Sequence, residues 1–186
     1  MKETTRKQEI IQRFDALAPD RAAWKDKNRY YYLDRERYMR FLVPEGASIL
    51  ELGCGTGDLM HALKPSRGVG VDFSGDMLQQ ARERYPDLEF IQDDVEDLNR
   101  VKGTFDFVIL DDVIGHLQDI EETLRGVSSL CRPDTRIIVT YYSFLWEPVL
   151  KLGERIGWKM PQGHQSWLAT EDIANLLHLE RFEVVK

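Results

Sequence analysis

A chain of 186 residues, 42% hydrophobic and 31% charged, has the composition of one soluble globular domain or of one domain with an appendage. Its formal net charge of -7 argues against general nucleic-acid binding. The two cysteines, Cys54 and Cys131, lack CxxC spacing, which argues against structural zinc and fits a reducing, cytoplasmic compartment. "MKETTRKQEI" has no apolar core of a signal peptide, and no apolar run approaches the roughly 18 residues of a spanning helix.

Charge is uneven along the chain. Residues 1–40 carry a net charge of +4 and the remainder -11. The basic arm suits an anionic substrate or a membrane surface, or it is a solvated helical face. Ile10, Ile11, Phe14, Leu17 and Ala18 lie at helical spacing over 5–18, and Pro19 interrupts. A second, aromatic-rich helix is expected from about Asp20 to Leu42, and "VPEG" (43–46) breaks it. Strands and helices then alternate. "SILELG" reads as a strand and 57–64 as a helix. "GVGVDF" (68–73) is a strand, followed by a helix capped by Ser74. "LEFIQDD" (88–94) and "FDFVILDD" (105–112) are strands, the second apolar enough to be covered on both faces. Residues 118–131 read as a helix and "TRIIVTYYS" (135–143) as another covered strand. "TEDIANLLHLE" reads as a helix capped by Thr170, and "FEVVK" as a final strand. This alternation predicts a Rossmann-like, doubly wound, mostly parallel α/β sheet with helices on both faces.

The chemistry concentrates in "ILELGCGTGDL". Gly53, Gly55 and Gly57 remove Cβ atoms at the end of the first strand, so a ligand can approach the backbone and the N–H groups that open the next helix. The spacing is GxGxG without GK[ST], which argues against a P-loop. Asp72 ends the second strand, where a carboxylate can accept hydrogen bonds from both ribose hydroxyls. A nucleoside ligand follows, but NAD-binding folds use the same acid.

"ILELGCGTGDL" resembles the first motif of class I S-adenosylmethionine-dependent methyltransferases. "GVGVDFSGDMLQQAR" resembles the second, "IQDDVEDL" the acidic element after the third strand, "FDFVILDDVIGHLQD" the segment after the fourth, and "LCRPDTRIIV" the turn before the fifth. Asp134 and Thr135 replace the usual glycines of that turn. The resemblance implies S-adenosyl-L-methionine as cofactor and S-adenosyl-L-homocysteine as product. It implies that Glu51, Gly53, Cys54, Gly55 and Gly57 surround the methionine end and that Asp72 holds the ribose. Phe73 and Met77 would flank adenine, or serve as plain core. Asp94 would accept from the adenine amino group, with Val95 N–H at a ring nitrogen; alternatively Asp94 caps a helix at 96–100 and Asp93 takes its place. Asp111 would stand near the cofactor's amino group.

Methyl transfer needs alignment of donor and acceptor and exclusion of water, and an oxygen acceptor also needs a base. His116, at the position of the family's "EHL" histidine, and His164, in "MPQGHQSW", are the candidates; each has a structural alternative. Asp112 can orient a substrate. No group of residues has convincing metal-ligand spacing. The family builds its acceptor pocket from the N-terminal segment and the insertion after strand five. Here these are a cap at 1–44, before the cofactor-binding domain at 45–186, and the aromatic segment 141–167. Both suit a lid over a small-molecule or lipid-linked acceptor; a peripheral membrane contact at 144–159 is the further option. The resemblance implies a closing strand that is absent after "FEVV"; the expectation is a C-terminally shortened chain that continues in its full form, the alternative being that another element or subunit fills the gap. A non-catalytic scaffold domain and an NAD-dependent oxidoreductase remain the competing readings.

Overall fold

The structure is a computed structural model that describes residues 2–161 and 166–185, with side chains from residue 7 onward. It opens with three helices, α1 (Lys2–Leu17), α2 (Arg21–Lys27) and α3 (Arg29–Leu42). The order continues as β1 (Ser48–Leu52), α4 (Asp58–Leu63), β2 (Arg67–Asp72), α5 (Gly75–Arg84), β3 (Glu89–Gln92), β4 (Phe105–Asp111), α6 (Ile120–Ser128), β5 (Cys131–Thr140), α7 (Glu147–Arg155) and α8 (Thr170–Leu179). Short 3-10 turns occupy 114–116 and 144–146.

The five strands form one parallel sheet in the order β3-β2-β1-β4-β5. Alternation along the strands sorts the core. Leu50, Leu52, Val108 and Leu110 face Val127 of α6 and Ile173 of α8. Ile49, Phe107 and Ile109 face Met39 of α3 and Leu59 and Leu63 of α4. A third cluster joins Met60, Leu78, Ala81 and Phe90 beside β2 and β3. The central strands read as continuous apolar runs because helices cover both faces. The same alternation sets Glu51, two residues beyond Ile49, on the α3 side of β1.

Ser74 caps α5 as the sequence predicts: its side chain accepts from Met77 N at 3.2 Å and donates to Asp15 at 2.6 Å. Several expectations are corrected. The helix expected over 20–42 is two helices, because the Asn28 amide bonds the Trp24 carbonyl at 3.0 Å and competes with the backbone ladder. The helix expected at 118–131 begins only at Ile120, where Asp119 caps it by accepting from Glu122 N at 2.9 Å. Thr170 is the first residue of α8 rather than its cap; Ala169 flanks the helix and its N–H donates to Asp172. Residues 96–100 form turns, not a helix.

The fifth strand starts earlier than expected. Cys131 already pairs with Phe105, and 132–135 loop out before Arg136 meets Phe107. The Thr135 hydroxyl ties the loop down by donating to Phe105 O at 2.6 Å and accepting from Arg132 N at 2.8 Å. β5 is half-covered rather than buried, because it stands at the sheet edge. Residues 182–185 form no strand. Phe182 N bonds back to Leu177 O at 2.9 Å, which turns the chain against α8 instead of onto the sheet.

The Ser74 hydroxyl therefore joins a helix start to α1. Ser74→Ala is expected to lower unfolding free energy by about 1–2 kcal/mol in urea titration, as for loss of a cap; an unchanged midpoint would contradict this role.

Candidate functional site

Strand order reverses between β1 and β4, so the loops beyond their carboxyl ends diverge and leave a crevice. A cavity of about 480 Å³ lies there. Its floor holds Glu51, Gly53, Cys54 and Gly55 at the end of β1, Asp72 and Phe73 at the end of β2, and Asp111, Asp112 and Val113 at the end of β4. Phe14, Trp24, Tyr31 and Arg35 reach it from the N-terminal helices, and Tyr142, Trp146 and Leu150 from the segment after β5. A second cavity of about 220 Å³ shares Phe73, Val113 and His116 with it and adds Ile10, Ile11, Asp94, Val95 and Leu117.

The three glycines of the loop do different work. All have positive φ, at 73°, 53° and 72°. A Cβ on Gly53 would stand 2.8 Å from Val113, and one on Gly57 would stand 2.7 Å from the Phe90 ring. These two let the loop pack. A Cβ on Gly55 meets nothing within 4 Å, and Gly55 lines the large cavity. Gly55 is therefore the glycine that keeps space open for a ligand. Cys54 is buried with its sulfur toward Gly70, and burial pushes its thiol well up, so it is a poor nucleophile.

Asp72 is buried at the cavity floor. One oxygen accepts from Gly55 N at 2.8 Å and the other from Ser74 N at 2.9 Å. Burial raises its pKa, and these two N–H donors oppose the rise. A carboxylate has about four acceptor positions, so two remain for a ligand. In the smaller cavity, Asp94 accepts Glu96 N at 3.0 Å and pairs with Lys7 of α1 at 2.6 Å. Lys7 also pairs with Glu96 at 2.5 Å. Asp93 is turned toward Arg100 at 3.8 Å. Phe73 stands between the two cavities, edge-on to Phe14 at 5.4 Å. Met77 is buried and lines neither cavity.

The acid-rich side of the large cavity is held by α3. Arg35 pairs with Asp111 at 2.8 Å and approaches Asp112 at 3.6 Å. Thr140 donates to Asp111 at 2.6 Å. Asp112 adopts a left-handed φ of 55°. Tyr31 donates to Asp112 at 3.3 Å, and the Tyr31 and Tyr142 hydroxyls are 2.6 Å apart. Glu51 is 3% exposed, and its Oε2 has no hydrogen-bond partner among the described residues. Burial and the neighbouring Asp111 push its pKa up to about 8, against the pull of Arg35 and Lys25. Lys25 pairs with Asp58 and donates to Thr56 at 3.0 Å, which pins α2 to the glycine loop.

His116 lines both cavities and meets Phe14 edge-on at 5.5 Å. His164 lies outside the described residues. No group of three or more metal-ligating side chains occurs among the described residues. Sequence reasoning did not single out Arg35, Lys25, Tyr31 or Tyr142 for this site individually. The helical spacing of Trp24, Asn28, Tyr31 and Arg35 was the available signal, since all four line one cavity.

Comparisons with known proteins agree with this geometry. The family described as a methyltransferase domain matches residues 24–186. A curated relative, 2-phytyl-1,4-naphtoquinone methyltransferase of Thermosynechococcus vestitus, is 33% identical over 109 residues, which cover 54% of this chain and 48% of that protein. The chain thus spans about half the length of the curated relatives it matches. A SAM-dependent methyltransferase from Thermotoga maritima superposes with a TM-score of 0.77 at 24% identity, over 94% of this chain and 82% of that one. Magnesium protoporphyrin IX methyltransferase of Synechocystis PCC 6803, solved with bound SAM, superposes with a TM-score of 0.73 at 17% identity, over 97% and 88%. These likenesses extend the Rossmann-like architecture to nearly the whole chain. With the family match spanning 24–186, which includes the glycine loop, Asp72 and the β4 crevice, the chain belongs to the methyltransferase domain family.

Proposed function

We propose that the chain binds S-adenosyl-L-methionine in the β1–β4 crevice and transfers its methyl group to a small-molecule or lipid-linked acceptor. The observation that carries this reading is the large cavity in which Gly55 is open and Asp72 forms the floor, with the smaller cavity adjoining it at Phe73. The residues fit the cofactor. Asp72 keeps two acceptor positions for ribose hydroxyls. The smaller cavity has apolar walls at Phe73, Val95 and Leu117 and an acid, Asp94, at its edge, which suits a flat ring with an amino group. Glu51, orphaned and buried, together with Asp111, suits the cationic methionine end. Gly53 and Gly57 act by packing the loop that carries these groups.

When bound, the cofactor supplies an electrophilic methyl group on a sulfonium. The chain's own residues exclude water and position the acceptor. The α1–α3 cap does this from above, with Asp15 bonded to Ser74 and Lys25 to Asp58. His116 sits where it can shape the wall between the two cavities. On the acceptor side Trp146 and Leu150 line the cavity, and Trp146, Val149, Leu152 and Trp158 are exposed beside it. These apolar groups support an aromatic or lipid-linked acceptor and a peripheral contact with a lipid surface, and the printed name of the naphthoquinone relative supports the same class. No helix among the described residues is long and apolar enough to cross a membrane. The two free cysteines are consistent with a cytoplasmic setting.

Calorimetric titration tests the ligand. Wild-type chain is expected to bind S-adenosylmethionine and S-adenosylhomocysteine, with NAD silent. Asp72→Ala is expected to weaken both by about tenfold or more, equivalent to about 1.4 kcal/mol. Unchanged affinity would refute the ribose assignment.

The pH dependence follows from Glu51. Its raised pKa, about 8, leaves it protonated at neutral pH in the ligand-free chain. A cationic ligand end favours the ionised form, lowers that pKa and releases a proton on binding. Affinity for S-adenosylmethionine should therefore rise as pH climbs through neutrality toward 8, and Glu51→Gln should flatten the rise. A wild-type profile with no proton release in buffers of different ionisation enthalpy would contradict it.

A further inference from the structure

The hydroxyls of Tyr142 and Tyr31 and the carboxylate of Asp112 form one chain at the cavity wall, with steps of 2.6 and 3.3 Å. Tyr31 donates to Asp112 and therefore accepts from Tyr142. The Tyr142 oxygen is then left as an acceptor at the end of the chain, and Tyr142 lines the cavity. We propose that Tyr142, Tyr31 and Asp112 are a proton relay that deprotonates a hydroxyl acceptor, with Tyr142 as the catalytic residue that touches the acceptor and Asp112 as the proton's destination. This rests on the methyltransferase reading above and adds an acceptor class to it, a phenol or alcohol methylated at oxygen.

The step balances. The acceptor O–H bond breaks and its proton passes to Tyr142. The Tyr142 proton passes to Tyr31, and the Tyr31 proton to Asp112. The acceptor oxygen gains the methyl group as the donor's carbon–sulfur bond breaks, and the sulfur keeps that bond's electron pair as a neutral thioether. One positive charge on sulfur and one negative charge on Asp112 are lost together.

The surroundings fit a group that must take up a proton near neutrality. Asp112 faces Arg35 and Tyr31 from α3, Asp111 from β4, Tyr142 after β5 and Lys159 after α7. Burial and Asp111 raise its pKa to about 6, against the pull of Arg35, Tyr31 and Lys159. Asp111, by contrast, is engaged by Arg35 and Thr140 on both oxygens. The left-handed backbone at Asp112 is the device that turns this second carboxylate toward the tyrosines. Histidine is the more usual base, and His116 also lines the large cavity, but its ring meets Phe14 edge-on and the hydrogen-bonded chain that ends at the cavity wall runs through Tyr142, Tyr31 and Asp112.

Two experiments test the relay. The first needs no ligand. In a carbon-13 NMR titration of the Asp112 carboxyl, Tyr31→Phe should move the midpoint up, because an N–H or O–H donor favours the carboxylate. An unmoved midpoint would overturn the geometry. The second measures labelled methyl transfer from S-adenosylmethionine to catechol, caffeate and 1,4-dihydroxy-2-naphthoate, with thiophenol as an acceptor that ionises without help. Asp112→Asn, which tolerates a left-handed backbone, and Tyr142→Phe should each lower oxygen methylation by about 100-fold or more. Their loss of rate with thiophenol should be about tenfold or more smaller than with phenols, because only the oxygen acceptor needs the relay. The wild-type rate on phenols should rise with pH around 6, and Asp112→Asn should lose that limb. Phenol rates unchanged in both variants, or cofactor binding without methylation of any phenol by the wild type, would overturn the relay. A folded wild type that binds neither sulfur nucleoside would instead overturn the parent reading.

Discussion

The buried carboxylate of Asp72 is the junction on which the site depends. It ends β2, yet it is bonded to the backbone of the loop after β1 and to the backbone that starts α5. Charge-assisted bonds of this kind are the stronger class. They fix the one loop that has room for a ligand, the turn at Gly55. Ser74, held by the same carboxylate, in turn holds Asp15 of the first helix. Strand, glycine loop, helix and cap are thus tied through two adjacent positions of the chain, Asp72 and Ser74.

The reversal of strand order supplies the place, and the cap gives it chemical character. Without α1 to α3 the crevice would be an open cleft over parallel strand ends. With them it becomes a cavity with acids below and cations and aromatic rings above. Arg35 lies 5.1 Å from the centroid of the Tyr32 ring while it pairs with Asp111. Such an arrangement keeps three acids, Glu51, Asp111 and Asp112, in one pocket with different partners, and burial raises the proton affinity of Glu51 and Asp112. Asp111 is fully engaged, Asp112 is shared among weaker donors, and Glu51 has an oxygen with none among the described residues. That graded set suits the proposed cationic donor and neutral acceptor.

Much of this was legible in the sequence where the determinant is local. The glycines, Asp72 and the Ser74 cap lie within one βαβ unit, so their places at the strand ends and helix start follow from spacing. The strands β1 and β4 were legible because burial on both faces leaves mostly apolar residues. The misread elements depended on hydrogen bonds that residue composition does not specify. "FEVV" has strand-like composition, but a strand exists only where a neighbour accepts its hydrogen bonds, and Phe182 turns back to α8 instead. The Asn28 break depends on a side-chain amide that can serve a turn as well as a helix. The Tyr31–Asp112 and Tyr31–Tyr142 contacts join residues 81 and 111 positions apart, a proximity that no local pattern encodes. The proposed cofactor site therefore rests on short motifs, while the proposed acceptor site is assembled by the tertiary fold.

The central claim is that one cleft, from the Phe73–Asp94 slot past Asp72 to Glu51, holds the donor. A crystal structure of the chain with S-adenosyl-L-homocysteine tests it most directly. The account predicts adenine against Phe73 with its amino group at Asp94, ribose hydroxyls on Asp72, and the amino acid end beside Glu51 and Asp111. A nucleoside bound elsewhere, or one whose ribose does not touch Asp72, would contradict it.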